Sequence, residues 1–353
     1  MTGTVLSSTS HPNPVRVAHV MAGAPSGGAE LFFERLCAAQ VASGEIVKAL
    51  IRRNPERLVR LANDRVDTES FRFGGRCDLF TRRRVSRSLH AFAPSVTVAW
   101  MSRAARFLPS GPWVPAGRLG GYYDLSNYRR CRHLIGNTRG LTRWMVEQGW
   151  APERVHYLPN FAAELADVSP QRPEFLPTGQ RFVLALGRLH RNKAFDVLIR
   201  AMAHVPDATL VIAGEGPERD ALETLARKEG VADRVYLPGW IHHGGAWLKA
   251  CDLLVCPSRI EPLGNVVIEA FSAGRPVVAA DIQGPHELIA GTRDGLLAPV
   301  EDDKALACRI RDVLGSPTLA TELGRNGRTR YEREFSAPTV LARWAHFLRH
   351  EVV

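Results

Sequence analysis

The chain reads as two α/β domains, each a parallel sheet with helices on both faces. Three observations predict this. Short apolar runs alternate with amphipathic helical stretches through both halves, the pattern of strands joined by crossover helices. At 353 residues the chain is too long for one small core. The alternation lapses over 162–180, a stretch with Pro170, Pro173 and Pro177 and little periodicity, and then begins again at Arg181. The expected division is a disordered tail at 1–14, a first α/β domain at 15–165, a linker at 166–180 and a second α/β domain at 181–335. A C-terminal helix at 336–353 is expected to cross back to the first domain.

Composition narrows the class. The chain is 45% hydrophobic and 23% charged, values typical of a soluble globular protein, and it has no apolar run of membrane-spanning length. The opening MTGTVLSSTSHPNP lacks a charged region followed by a continuous apolar one, so no secretory signal is read there. Cys37, Cys77, Cys131, Cys251, Cys256 and Cys308 are scattered without metal-ligand spacing, which fits reduced cytosolic thiols and argues against a structural zinc site. The net charge of +10 is uneven: residues 1–170 hold 23 Lys+Arg against 13 Asp+Glu, and residues 171–353 hold 23 of each. The excess, densest at Arg82-Arg83-Arg84 and Arg87, suggests an anionic partner for the first half, or else a surface solvated by arginine.

In chain order, Val15–Met21 is a strand, followed by a glycine-rich turn holding Gly27 and Gly28 and an amphipathic helix ending near Gly44. Gly27-Gly28 either brings backbone amides near a phosphate or sugar, or simply turns the chain; the pattern G-x-G-x-x-G is absent. Ile46–Ile51 is a strand, then comes a less regular stretch and a basic helix, LFTRRRVSRSLHAFA. Ser95–Trp100 is a strand whose end delivers Met101, Ser102 and Arg103 to the same edge as the glycines. The segment with Arg118, Tyr122, Tyr123 and Asp124 is rich in groups that hydrogen-bond or stack on sugars. His133–Asn137 is a further strand, and Thr142–Gln148 is helical.

The second half starts with the strand Arg181–Leu186, then Gly187-Arg188-Leu189-His190-Arg191-Asn192-Lys193 and the helix Phe195–Ala203. A forked guanidinium at Arg188 and a point-charge ammonium at Lys193, beside a helix start, are what a diphosphate needs, unless the loop is merely a cationic surface. Ala208–Ala213 ends in Gly214, and Val235–Leu237 leads to Pro238-Gly239-Trp240-Ile241. Trp240 is either a flat wall for a nucleobase or a hydrophobic plug under a loop. Later, Asp302 begins a helix capped near Gly315, and Pro338–Arg349 is a final helix.

The most informative stretch is SRIEPLGNVVIEAFSAGRPVV, Ser258–Val278. The run Asp252–Cys256 feeds it as a buried strand, Val266–Ala273 is a helix, and Gly274-Arg275-Pro276 stops it. The turn at Pro262-Leu263-Gly264-Asn265 leaves amides open at a helix N-terminus, where the dipole favours a diphosphate, and Gly264 permits close backbone approach. Glu269, roughly 6 Å along the helix from Asn265 and on the same face, can accept from ribose hydroxyls. Glu261, on the other side of the phosphates, can accept from a sugar ring. Alternatively, both glutamates are simply solvated.

With GGAE at Gly27–Glu30, G-R-L-x3-K at Gly187–Lys193 and E-P-L-G-N-x3-E at Glu261–Glu269 in this order, the chain resembles family 4 glycosyltransferases: retaining enzymes of GT-B architecture, two Rossmann-like domains facing across a cleft. The resemblance implies that Arg188 and Lys193 grip the donor diphosphate, Glu261 the transferred sugar, Glu269 the ribose, and Gly28 the region between donor and acceptor. Many family members carry a His near the end of the fourth strand that reaches the sugar or acceptor. Here that region reads Trp100-Met101-Ser102-Arg103, which leaves the role of that His unfilled, with Ser102 and Arg103 the candidates nearby. No cofactor or metal is implied; the donor is a GDP- or UDP-linked sugar. More narrowly, the first half resembles bacterial mannosyltransferases of the lipopolysaccharide core. An acceptor glycolipid on the inner leaflet would suit the basic half, each surface cation adding on the order of 1 kcal/mol of attraction, and would place the protein in the cytoplasm, peripheral to the membrane. Two rival classes are another GT-B activity such as a nucleotide-sugar epimerase, and a nucleic-acid-binding protein. Against the latter, the arginines lack interleaved aromatics or a helix-turn-helix pattern.

Overall fold

The computed structural model describes residues 13–25, 27–74, 78–289 and 293–352. Residues 1–12 of the expected tail, Ser26 and Cys77 lie outside them.

The first half builds a seven-stranded sheet from β1 (Arg16–Met21), β2 (Ile46–Arg52), β3 (Asp67–Phe71), β4 (Val96–Trp100), β5 (Val114–Leu119), β6 (His133–Gly136) and β7 (Val155–Tyr157), in the order β3-β2-β1-β4-β5-β6-β7. Strands β3 to β5 pair in parallel along that order. The helices are α1 (Gly28–Ala42), α2 (Pro55–Asn63), α3 (Leu79–Phe92), α4 (Met101–Phe107) and α5 (Arg139–Glu147). The central strands are buried on both faces, so they read as continuous apolar runs rather than alternating ones.

The second sheet is parallel in every pairing, in the order β10-β9-β8-β11-β12-β13. Its strands are β8 (Arg181–Leu186), β9 (Ala208–Ala213), β10 (Val235–Gly239), β11 (Leu253–Cys256), β12 (Val277–Ala280) and β13 (Leu296–Ala298). Its helices are α6 (Phe195–Met202), α7 (Arg219–Lys228), α8 (Gly244–Ala250), α9 (Asn265–Ser272), α10 (Gln283–Leu288), α11 (Asp303–Leu314) and α12 (Pro317–Arg330); α13 (Ala337–His346) and a π-helical turn, Phe347–Glu351, come after them. Asp302 caps α11 by accepting from the Ala305 amide at 2.8 Å.

Three expectations are corrected. The irregular stretch after β2 contains α2, capped by Asn54 with Pro55 at its first position, and the polar strand β3. Arg118 belongs to a buried strand, β5, which Pro115 and Gly117 disguise; a side chain at Gly117 would stand 2.5 Å from the Tyr128 ring. Contacts divide the chain inside β6, earlier than the expected 166–180 linker. One unit runs to Leu119 and includes Tyr123–Ile135 and the chain from Trp344 on; the other holds Gly120–Tyr122 and Gly136–Arg343. The reason is local: Glu287 of α10 accepts from the Arg139 and Gly140 amides at 2.5 and 2.7 Å, Asn160 donates to Asn265 at 2.8 Å, and Leu165 and Leu176 sit in the second core.

Within the first unit, His19 of β1 is wholly buried among Phe33, Trp100 and Trp344. Its Nδ1 accepts from the Trp100 indole at 3.1 Å, so Nε2 carries the proton and donates to Gln40 at 2.7 Å. Burial is the main cause that lowers its pKa to about 4. The folded value lies below that of the unfolded chain, so stability present above pH 6.5 is lost as pH falls toward 4, by about 3 kcal/mol at roughly 1.4 kcal/mol per pKa unit. Urea unfolding of wild type and His19→Asn at pH 7 and pH 4 should show wild type losing that much more than the variant; equal losses would contradict the assignment.

Candidate active site

In a parallel sheet the connections to either side of the first strand leave in opposite directions, and the strand ends there open a crevice. In the second sheet that point lies between β8 and β11. The loop after β8 carries Arg188 and Lys193; the loop after β11 carries Glu261 and leads to α9.

Glycines shape the rim. Gly187, Gly214 and Gly239 all have positive φ, at 151°, 152° and 88°, and end β8, β9 and β10. They stitch the corners together: the Gly187 amide donates to the Ala213 carbonyl at 3.1 Å and the Gly214 amide to the Gly239 carbonyl at 2.8 Å. A Cβ at Gly214 would sit 1.9 Å from the Gly187 carbonyl oxygen. Trp240, just past β10, is 66% exposed, so it is no plug under a loop; Ile241 beside it is half-buried.

Lys193 ends a 3₁₀ turn, Arg191–Lys193, and its ammonium forms an ion pair with the Glu261 carboxylate. Burial works against the charged lysine, but Glu261 outweighs it and raises the Lys193 pKa above the ordinary value. Arg188 is exposed, and among the described residues it makes no ion pair. Pro262 and the buried Leu263 lead to Gly264, whose φ of 94° turns the chain into α9. The Gly264 carbonyl accepts from the Val267 and Ile268 amides at 2.9 and 3.3 Å; the amides ahead of them have no place in the helical ladder and are open to an anion. Asn265 and Glu269 share a face of α9, both half-buried. Sequence reading passed over Gly284: its amide donates to the Glu261 carbonyl at 3.1 Å, and a Cβ there would stand 2.5 Å from the Glu261 and Leu263 carbonyls. Nothing but the absence of a side chain signals it.

The first sheet reverses between β1 and β4. Gly27 and Gly28 start α1 at the end of the β1 loop, and Met101, Ser102 and Arg103 start α4 at the end of β4. Glu30, in the same motif, turns out to be the pin: it is buried, accepts from the Ala24 amide at 2.7 Å, and would collide with a Cβ at Gly23 or Gly27. Met101 adopts φ 62°, a left-handed conformation rare for its type. Arg103 is exposed. The remaining candidates do not form one cluster. Arg118 is 3% exposed, with its guanidinium over the Phe32 and Trp100 rings at 5.0 and 4.8 Å. Burial lowers its pKa to about 9, and it is not placed to meet an acceptor. Asp124 caps the next turn, accepting from the Ser126 amide and hydroxyl at 2.9 and 2.7 Å. Tyr122 is exposed and packs edge-on to Trp144, while Tyr123 is half-buried.

The Lys193–Glu261 pair is mostly screened from water, the side chains being 25% and 14% exposed. Lys193→Met should cost about 1–3 kcal/mol by stranding Glu261, and adding Glu261→Gln should recover most of it. Denaturant unfolding of the two singles and the double checks this; additive losses would contradict it.

The description Glycosyl transferases group 1 matches residues 170–330. The chain is 32% identical over 330 residues to the lipopolysaccharide core biosynthesis glycosyltransferase LpsD of Rhizobium meliloti (strain 1021), which covers 92% of this chain and 96% of that one. It is 30% identical over 331 residues to LpsE of the same organism, with the same coverage. Among solved structures, a glycosyltransferase from Rickettsia africae ESF-5 superposes with a TM-score of 0.85 at 13% identity, covering 96% of this chain and 99% of that one. Anabaena Alr3699/HepE, solved in complex with UDP, gives 0.82 at 19% identity, covering 95% and 99%. The fold is that of GT-B glycosyltransferases, and the chain belongs to the group 1 glycosyltransferases.

Proposed function

We propose that this glycosyltransferase moves a hexose from a GDP- or UDP-linked donor to the lipopolysaccharide core, with retention at the anomeric carbon. The observation that carries the reading is the β8/β11 crevice, where an ammonium, a carboxylate and a helix N-terminus converge. The open amides at Gly264–Val266, with Lys193 and Arg188, hold the diphosphate and neutralise the charge that grows on it as the sugar leaves, so no divalent metal is needed. Glu269 takes the ribose hydroxyls. Glu261, freed from Lys193 once the phosphates take over that cation, takes hydroxyls of the transferred sugar. Attack comes from the face that the leaving phosphate occupies, and the acceptor is met by the loops holding Gly28, Ser102 and Arg103. The names of LpsD and LpsE support the lipopolysaccharide-core acceptor, and the family resemblance supports retention.

The same reading puts the protein on the inner face of the cytoplasmic membrane. Arg82, Arg83 and Arg87 line one side of α3 with Ser86 and His90, around a shallow groove of about 540 Å³ that Pro109 also lines. Among the described residues none of these three arginines has an acidic partner, and Phe80, one turn away, is 85% exposed. Cations beside a bare aromatic suit anionic headgroups.

Two outcomes are expected. With truncated core acceptor and UDP-, GDP- and ADP-hexoses in EDTA, one donor should give transfer; Glu261→Ala should lower it about 10²–10³-fold with nucleoside diphosphate affinity within about threefold of wild type. Glu269→Ala should weaken that affinity by about tenfold or more. Small, equal effects of both would overturn the roles. Separately, charge reversal of Arg82, Arg83 and Arg87 should abolish co-sedimentation with anionic vesicles, and unchanged co-sedimentation would remove the membrane partner alone.

A further inference from the structure

Arg259 lies two residues before Glu261 and was not singled out by its sequence, yet it is the most heavily bonded side chain near the crevice. Its guanidinium meets Asp196 of α6 through two bonds, Nη1 to Oδ1 and Nη2 to Oδ2, both 2.8 Å. Nη1 also donates to the Arg191 carbonyl at 2.7 Å. On its other side Nη2 donates to Glu301 at 2.9 Å and Nε bonds the same carboxylate. The main chain adds to this, for the Arg259 and Ile260 amides both donate to the Asn192 carbonyl, at 2.8 and 3.3 Å. Four segments therefore converge on one residue: the Arg191–Lys193 turn, the first turn of α6, the exit of β11, and the residues before α11.

The consequence concerns Lys193 and Glu261. Lys193 follows Asn192 directly, and Glu261 follows Ile260 directly, so the pair is carried by the two strands of chain that Arg259 ties together. A planar fork with donors on three nitrogens can hold two carboxylates and a carbonyl at once; a lysine cannot. Glu301, one of those carboxylates, sits at φ 64°, a conformation a glutamate keeps only when its surroundings hold it. Asp196 and Glu301 are both engaged by Arg259 rather than by Lys193 or Arg188.

We propose that Arg259 is the positioning residue of the site: it sets the register of Lys193 against Glu261 and governs turnover without touching the donor. The inference rests on the transferase reading above. A misplacement of order 1 Å at a reacting centre costs about 10²-fold in rate, so the loss should fall on kcat rather than on KM.

The test is steady-state transfer by Arg259→Met and Arg259→Lys, with thermal unfolding measured in parallel. For protein that stays folded, kcat should fall about 30- to 100-fold in both while donor KM moves by less than about threefold. Arg259→Met combined with Lys193→Ala should be no slower than Lys193→Ala alone within about threefold, because Arg259 acts through Lys193. A folded Arg259→Met with kcat within about threefold of wild type, or losses that multiply in the double variant, overturns the proposal. Should Arg259→Met fail to fold, Glu301→Gln removes one arm of the network from the solvent side; an about three- to tenfold fall in kcat at constant KM supports the proposal, and an unchanged kcat overturns it. Wild type inactive with every donor sinks the transferase reading instead, so the two failures are distinguishable.

Discussion

Everything at the candidate site depends on the reversal of winding between β8 and β11. There the backbone leaves the sheet in two directions, so a cation from one loop and a carboxylate from the other can meet at the strand ends. Neither charge is comfortable alone in that position. Burial opposes the lysine ammonium, and the neighbouring carboxylate is the main influence that raises its pKa. On the function proposed above, an incoming diphosphate would replace the carboxylate as the ammonium's partner and leave the carboxylate available to hydroxyls. Close approach of three corners, with Gly187, Gly214 and Gly239 at positive φ, keeps the rim open to a ligand's backbone contacts.

The first domain repeats the plan with different contents. Its reversal point carries Gly27, Gly28 and the left-handed Met101, pinned from beneath by the buried Glu30. Within that core both ring nitrogens of His19 are satisfied, one by Gln40 and the other by the Trp100 indole. The uneven charge has a structural counterpart. In the second unit arginines are spent on acids within the fold, as Arg259 with Asp196 and Glu301, Arg328 with Glu164 and Glu332, and Arg330 with Asp294. On α3 they face outward around a groove. Excess charge that the fold does not use internally is charge left for a partner.

Much of this was legible in the residues, and for identifiable reasons. Buried parallel strands such as VRVAHVM, RFVLAL and LLVC announce themselves as apolar runs, and the glycine-ended loops that follow them mark the ligand edge. The helix at α9 was readable within a residue at each end, because Gly264 and Gly274 bracket it. What escaped detection was whatever broke its own local rule. Strand β5 carries Pro115 and Gly117, tolerated because Tyr128 packs against the glycine. Strand β3, DTESF, reads polar because it is half exposed at the sheet edge. Arg118, read as a sugar contact, is buried against aromatic rings, a placement its charge argues against and only tertiary packing permits. Arg259 and Gly284 act on residues distant in sequence, so no spacing could have pointed to them.

The most direct test of the central claim is a crystal structure of the protein soaked with a nucleoside diphosphate. The account expects the β-phosphate within hydrogen-bond distance of the Asn265 and Val266 amides and of Lys193 Nζ, with the Lys193–Glu261 contact broken. Diphosphate density elsewhere, such as along Arg82–Arg87, with that ion pair intact, would contradict it.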